Sequence, residues 1–383
     1  MDDTDILIVG GGPAGSACAW ALRRAGLDVA VLDQARFPRD KVCAGWITPA
    51  VLECLEIDAE EYGRDHVLQP IRGFRVGLMA GMDRVRTAMD IVYPGIVSYG
   101  IRRCEFDDYL LRRSGARLLT GEAARSLRRE RGTWLVNDHL RAPVLVGAGG
   151  HACPVARELG ARPGGETPVL AQEIEFPLPE DARAGCAVGG EKPELYFCAD
   201  LAGYGWCVRK GNHLNIGLGR DDRRGLAAQV AGFAACMQDT RGIPELPGRL
   251  HGHAYLLYGH SPRDLVADGA LLVGDAAGLA YPQSGEGIRP AVESGLLAAR
   301  TLIEAGGDYR RRRLEAYPER LRRRFGLGGG AFVPRMPAGL RTLLARGLFS
   351  QAGLVRRVVL DRGFLRLDQP ALASMRECDP VPA

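Results

Sequence analysis

The chain has 383 residues, 46% of them hydrophobic and 25% charged, with a formal net charge of +4. That length accommodates two or three domains with their own cores, and the balance excludes a disordered or fibrous chain. No apolar run reaches the ~18 residues of a spanning helix, and the acidic N-terminus runs straight into a strand with no secretory leader, so a cytoplasmic protein is expected.

The first unit reads Asp5 to Asp33. Ile6 to Val9 is a continuous apolar run, the pattern of a parallel strand buried on both faces. Gly10, Gly12 and Gly15 form a G-x-G-x-x-G: a tight turn, a close backbone approach to a pyrophosphate, and a close helix–strand contact. A helix from about Pro13 to Ala25 aims its N-terminal N–H groups, those of Ala14 and Gly15 after Pro13, at the phosphates. Gly26 stops it. Val29 to Leu32 is a second strand, and Asp33 at its end can accept hydrogen bonds from a ribose 2′-OH. The acid favours FAD or NAD over NADP.

Loops after parallel strands line ligand sites, which makes Gln34, Lys41, Cys43 and Ala44 candidate contacts; Cys43 and Trp46 are the residues there suited to chemistry or stacking. Val51 to Leu55 reads as helix. From about His66 to Ser98 the pattern alternates in short runs, as in antiparallel strands of a second domain. Ile101 to Leu119 reads as helix. Trp134 to Val136 and Val144 to Val146 read as strands, the second ending in a close-approach turn at Gly147-Ala148-Gly149-Gly150. Val169 to Phe176, Leu195 to Cys198, Gly205 to Val208 and Leu214 to Leu218 resume the strand pattern, and Leu226 to Met237 reads as helix. His251-Gly252-His253 reads as an exposed strand pair and not a metal site. Gly269 to Val273 is a buried strand followed by Gly274-Asp275-Ala276-Ala277-Gly278, then Pro282, Gly285 and Gly287, and a long helix from about Arg289.

Past Asp308 come basic helices broken by Gly and Pro, including Gly328 to Gly330; residues 301–383 hold 16 Arg against 8 Asp plus Glu. Met336 to Leu360 is amphipathic and basic: either a surface for an anionic membrane or a helical lid with its arginines in water. No nucleic-acid motif accompanies the charge. The ten cysteines lack C-x-x-C spacing and read as reduced thiols.

Segments of parallel and antiparallel type thus alternate, which implies interleaved domains. The predicted class is α/β plus antiparallel β: a Rossmann-type dinucleotide domain (residues 1–65, 101–165 and 265–320), an antiparallel-sheet substrate domain (66–100 and 166–264) and a C-terminal helical extension (321–383).

Three separated motifs resemble one FAD superfamily, that of para-hydroxybenzoate-hydroxylase-like enzymes. They are the unit ending in Asp33; Arg103-x-x-Phe106-Asp107-x-x-Leu110; and Leu272 to Gly278 followed by Pro282 and Gly285-x-Gly287-Ile288. Within it the chain resembles the geranylgeranyl reductase family. Lys41-Val42-Cys43-Ala44-Gly45 is similar to its K-x-C-G-G loop, and Gly203-Tyr204-Gly205-Trp206-Cys207-Val208 with Gly211-x-x-x-Asn215-Ile216-Gly217 to its Y-x-W-x-F-P and following strands. Ala44 stands where Gly is common, Cys207-Val208-Arg209 replaces x-F-P, and Gly149 replaces the Asp of the hydroxylase D-G motif. The W-x-W-x-I-P of halogenases is absent.

The resemblance implies FAD, contacted by Arg103, Gly147, Gly274, Asp275, Pro282, Gly285, Gly287 and Ile288 besides the opening unit. It implies Cys43, Tyr204 and Trp206 as catalytic residues, and reduction of a C=C bond in an apolar, isoprenoid-like substrate by hydride from flavin N5. A monooxygenase acting on an aromatic or a peptide side chain, and an electron-transfer flavoprotein without a small substrate, need the same cradle. No second nucleotide fingerprint exists, so electrons come from transiently bound NAD(P)H or from a protein.

Overall fold

The computed structural model describes residues 2–161, 168–221, 225–259, 263–326 and 337–373; Gly328 to Gly330, Met336 and the chain after 373 lie outside them. A six-stranded sheet has the order Val266–Ala267, Ala270–Leu272, Val144–Gly147, Ile6–Val9, Val29–Asp33, Arg117–Thr120. Every pairing is parallel except the edge hairpin Val266–Ala267/Ala270–Leu272. Ile6, Leu7, Ile8, Val29, Val31 and Leu32 are fully buried, each contributing about 1.5–3 kcal/mol of hydrophobic stabilisation. The helices Pro13–Arg24 and Ile288–Ala305 lie against one another. They touch at Gly295, where a Cβ would stand 2.3 Å from the Ala14 carbonyl oxygen.

The stretch read as one helix from Ile101 to Leu119 is three elements. Ser98–Ile101 is a strand, Arg103–Arg113 a helix, and Arg117–Thr120 the outer parallel strand beside Val29–Asp33. Leu118 and Leu119 continue the helical spacing of apolar residues, but Gly115 at φ +69 ends the helix.

A second sheet has seven strands in the order His251–Tyr255, Val169–Pro177, His213–Arg220, Gly203–Lys210, Glu194–Phe197, Gly73–Met79, Val85–Val92. It is antiparallel except where Glu194–Phe197 runs parallel to Gly73–Met79. One face packs under the helix Leu226–Arg241 through Cys207, Ile216, Leu218 and Phe233. The other face carries Phe74, Leu195, Trp206 and Val208, and packs on Ala345, Phe349, Val359 and Phe364 of the C-terminal helices.

Those helices are Ala338–Leu348 and, after a short turn, Val355–Phe364, which is wound as a π-helix, a form that collects at functional sites. The chain then crosses to the other half. Arg289 Nη2 donates to the Gln369 and Pro370 carbonyls at 2.6 and 2.9 Å. The C-terminal segment therefore ties the two sheets together. Among the described residues no helix is long and apolar enough to cross a membrane.

Candidate functional site

A cavity of about 630 Å³ lies between the C-terminal ends of the parallel strands and the seven-stranded sheet. Its first end is the opening dinucleotide unit: Gly10, Gly12, Pro13, Ala14, Asp33 and Gln34 line it. Gly10 has φ +115, and a Cβ there would stand 2.3 Å from the Ala148 oxygen, so the turn requires glycine. Gly12 is different. A Cβ there would find nothing closer than Arg39 Nη2 at 3.6 Å, so the missing side chain leaves room for a ligand. The Asp33 carboxylate accepts from the Gly11 and Ala35 N–H groups at 2.7 and 2.8 Å, which fixes its orientation at the cavity edge.

The middle is basic. Arg39, Lys41 and Arg103 line it. Arg103 is buried and held by Asp107 through two bonds of 2.8 Å; burial opposes its charge most, but Asp107 and Cys43 together outweigh it and keep Arg103 cationic. Arg39 reaches the same carboxylate at 3.3 Å. Burial, and then Arg103, lower Lys41 to about 8.

The far end holds Asp275, Gly285, Gly287 and Ile288. Burial would raise Asp275, yet His253, its Nε2 3.9 Å away, and the Lys41 charge win and hold it below the usual carboxylate range. Glu286, between the two glycines, has neither carboxyl oxygen hydrogen-bonded among the described residues, and burial pushes it up to about 7 against Arg289 and Arg366.

The roof is the seven-stranded sheet, from which Ala171, Glu173, Tyr204, Trp206, His253 and Tyr255 line the cavity. Beneath it the Lys41–Gly45 loop is pinned from above. Cys43 N donates to Glu173 Oε1 at 2.5 Å, Asn215 Nδ2 donates to the Cys43 carbonyl at 3.2 Å, and Lys210 Nζ to the Ala44 carbonyl at 3.1 Å. Asn215 Oδ1 accepts from Trp206 Nε1 at 2.7 Å, and Tyr204 OH donates to the Ser284 carbonyl at 2.5 Å. One polar net thus sets Cys43 and Trp206 relative to each other, and Tyr204 is anchored separately on the Ser284 carbonyl.

The structure brings Gly10, Gly12, Pro13, Ala14, Asp33, Gln34, Lys41, Cys43, Ala44, Arg103, Tyr204, Trp206, Asp275, Gly285, Gly287 and Ile288 to this one cavity. It does not bring Gly15, Gly147, Gly274 or Pro282 there. Gly15 packs on the turn, its Cβ position 1.9 Å from the Gly10 oxygen. Gly147 is walled by Leu272 and Val155, and Gly274 by Ala14 and Ala291; these three shape the frame. Pro282 lines a second cavity instead. His253 is turned inward, so the exposed-pair reading holds for His251 alone.

Glu173, His253, Tyr255 and Arg39 carry no motif. The one available signal was the alternation Val169-x-Ala171-x-Glu173, which puts an acid on the inward face. Among the described residues no group of three or more His, Cys, Asp or Glu is arranged to hold a metal ion, and the nine described cysteines are free.

The second cavity, about 330 Å³, shares Tyr204, Tyr255, Ser284 and Gly285 with the first. One wall is apolar, made by Phe197, Leu201, Leu348, Phe349, Val358 and Phe364, while Arg220, Asp221 and Arg341 also line it. The residues present fit a flavin dinucleotide. A glycine cradle and an acid stand at the adenosine end, cations in the middle, and a glycine-relieved loop before a long helix at the other end, where the dipole stabilises charge on the ring by about 0.3–2 kcal/mol.

Comparison with known proteins agrees. The family described as FAD dependent oxidoreductase matches residues 5–89. A menaquinone reductase of Mycobacterium tuberculosis is 31% identical over 337 residues, 79% of this chain and 77% of that protein. A geranylgeranyl diphosphate reductase of Rhodobacter capsulatus is 30% identical over 323 residues, 77% and 74% of the two chains. A geranylgeranyl bacteriochlorophyll reductase-like protein of Thermoplasma acidophilum shares the fold, with TM-score 0.71, 20% identity, and 98% and 94% of the two chains covered.

Proposed function

The chain belongs to the geranylgeranyl reductase family of FAD-dependent oxidoreductases, and from that premise we propose that it saturates a C=C bond in the isoprenoid chain of an apolar substrate. The observation that carries this reading is the pair of joined cavities. One of about 630 Å³ suits the cofactor, and a second of about 330 Å³, with an apolar wall of Phe197, Leu348, Phe349, Val358 and Phe364, adjoins it at Tyr204 and Tyr255.

Bound reduced flavin supplies a hydride at N5. The chain's own residues do the rest. Gly10, Gly12, Ala14 and Asp33 hold the adenosine side; Arg39, Lys41 and Arg103 neutralise phosphate charge; Asp275 and the Gly285–Ile288 backbone hold the flavin side. Phe349, Val358 and Phe364 would exclude water from the prenyl chain, and Tyr204, Trp206 and Cys43 would position its double bond at the cofactor. Burying the apolar chain contributes about 0.8 kcal/mol per CH2. We read residues 1–65, 101–165 and 265–320 as the cofactor domain and 66–100 with 166–264 as the substrate domain.

The C-terminal helix exposes Leu340, Leu343 and Leu344, and Leu354 beyond it, at 44%, 65%, 48% and 41%. Arg346, Arg356 and Arg357 stand exposed among them. The same helices wall the apolar cavity, so we read this face as the seat on an anionic membrane from which a lipid substrate enters. Electrons come from NAD(P)H or a protein donor.

The test is anaerobic. Protein reconstituted with FAD and reduced chemically is mixed with a prenylquinone or a prenyl diphosphate, and products are weighed by mass spectrometry. Gain of hydrogen across a double bond supports the reading. Turnover that requires oxygen and yields a hydroxylated product overturns it.

A further inference from the structure

We propose that the carboxyl group of Glu173 is the acid that protonates the substrate double bond. The inference rests on the reading of the chain as an isoprenoid reductase. An isolated prenyl double bond carries no electron-withdrawing group, so hydride alone would leave an unstabilised carbanion. The proton has to arrive with or before the hydride, and its donor has to be an acid still protonated at working pH in a dry site.

Glu173 meets those requirements by its position. It sits on the cavity face of its strand, opposite Gly217, which is in turn opposite Trp206. A Cβ on Gly217 would stand 2.4 Å from the indole and 2.6 Å from Glu173 Cβ. The glycine therefore lets acid and aromatic ring close up in one row of the roof. That ring face stabilises positive charge developing on the alkene as the proton moves.

Oε1 of Glu173 takes the Cys43 N–H at 2.5 Å, while Oε2 has no hydrogen-bond partner among the described residues. A carboxylate left so would be strongly penalised; a carboxylic acid is not. The groups around it are Lys210 and Trp206 from one strand, Asn215 from the next, Glu175 on its own strand, His251 and His253 on the outer strand, and the Cys43 peptide below. Lys210 is engaged by Glu175 and the Ala44 carbonyl. Burial prevails over Lys210 and the Cys43 N–H and pushes Glu173 up to about 7.

The other acids of the cavity are less suited. Asp33 is held at the adenosine end by two backbone N–H groups, Asp275 is kept ionised by His253 and Lys41, and Glu286 lies on the cofactor loop beside Arg289 and Arg366. In the balanced step the alkene π bond breaks. One carbon bonds the Glu173 proton, the other bonds the hydride that reduced flavin gives up as it is oxidised, and water reprotonates the carboxylate.

The experiment compares wild type, Glu173→Gln, Glu173→Asp and Glu286→Gln. In infrared spectra of the FAD-loaded protein, two protonated-carboxyl bands that titrate near pH 7 are expected in wild type, one lost in Glu173→Gln and the other in Glu286→Gln. With chemically reduced FAD and a prenylquinone in single turnover, Glu173→Gln is expected to keep its flavin spectrum and lose about a hundredfold in rate. Glu173→Asp recovers part of the loss, and the decline of the wild-type rate above pH 7 vanishes in Glu173→Gln. A Glu173→Gln rate within threefold of wild type, or a hundredfold loss in Glu286→Gln alone, overturns the assignment and leaves the reductase reading standing. Wild type that holds reduced FAD but saturates no prenyl substrate overturns the reading itself, and the assignment with it.

Discussion

Lys41 Nζ stands 2.6 Å from His253 Nε2, so a loop lysine and a roof histidine meet across the cavity. An ammonium only donates, so His253 accepts and its ring is neutral. Burial lowers both groups, Lys41 to about 8 and His253 below its ordinary value. Asp275 lies beyond, 3.9 Å from the same imidazole nitrogen. One short polar chain thus links the loop, the roof and the end of the last parallel strand.

The sign of this arrangement predicts proton uptake on cofactor binding. Lys41 falls from 10.5 in the unfolded chain to about 8 in the fold, so its charged form is disfavoured by folding. The cost, at most ~3 kcal/mol, is fully present below pH 8 and is relieved as pH rises from 8 towards 10.5. A pyrophosphate near Lys41 reverses the shift, so FAD binding at pH 8 takes up roughly half a proton. Calorimetry in two buffers of different ionisation heat reads this directly. Lys41→Met should abolish the uptake and raise the melting temperature of the cofactor-free protein; a binding enthalpy independent of buffer in wild type refutes the linkage.

The glycines of the opening turn should separate into two kinds. Gly15→Ala places a methyl 1.9 Å from the Gly10 oxygen and is expected to cost about 3 kcal/mol or more, seen as a lower melting temperature with or without FAD. Gly12→Val meets only Arg39 at 3.6 Å, so the cofactor-free protein should melt as wild type does while the purified protein is colourless. Asp33→Ala should also lose FAD. Yellow, fully loaded Gly12→Val would contradict the cradle.

What could be read beforehand follows the range of the interactions involved. Strand, turn, helix and terminal acid in Asp5–Asp33 are written in adjacent residues, and the Gly274–Ile288 segment likewise. The ends of Arg103–Arg113 were misjudged because Leu118 and Leu119 keep the helical spacing that Gly115 interrupts. Glu173 and His253 were invisible for a different reason: which face a strand residue presents depends on its register with partners tens of residues away. Gly147 and Gly274 look like ligand glycines in sequence; in the fold a Cβ on Gly147 would meet Val155, and one on Gly274 would meet Ala14 and Ala291.

Chain-length selectivity should reside in the apolar cavity. Val358 lines it from the π-helix, partly exposed to the lumen. Val358→Trp narrows the lumen without touching the Gly10–Asp33 cradle. The expectation is a KM raised about tenfold for long prenyl chains, ~1.4 kcal/mol, with FAD affinity unchanged and short-chain substrates little affected. Equal losses for every chain length would place the prenyl tail elsewhere.

Membrane seating makes the last prediction. Leu343 is 65% exposed and Leu344 48%, and neither belongs to a buried cluster, so charging them leaves the fold intact. Leu343→Glu with Leu344→Glu removes two apolar anchors and sets negative charge beside Arg346. In sedimentation with vesicles, wild type should bind those rich in anionic lipid, lose binding as salt rises, and ignore zwitterionic ones, since each exposed arginine near the surface contributes about 1 kcal/mol. The double variant should stay in the supernatant while a detergent-dispersed substrate is still reduced at the wild-type rate. If that variant sediments like wild type, the leucines face water for another reason, and substrate reaches Phe349 and Phe364 by a route other than the bilayer.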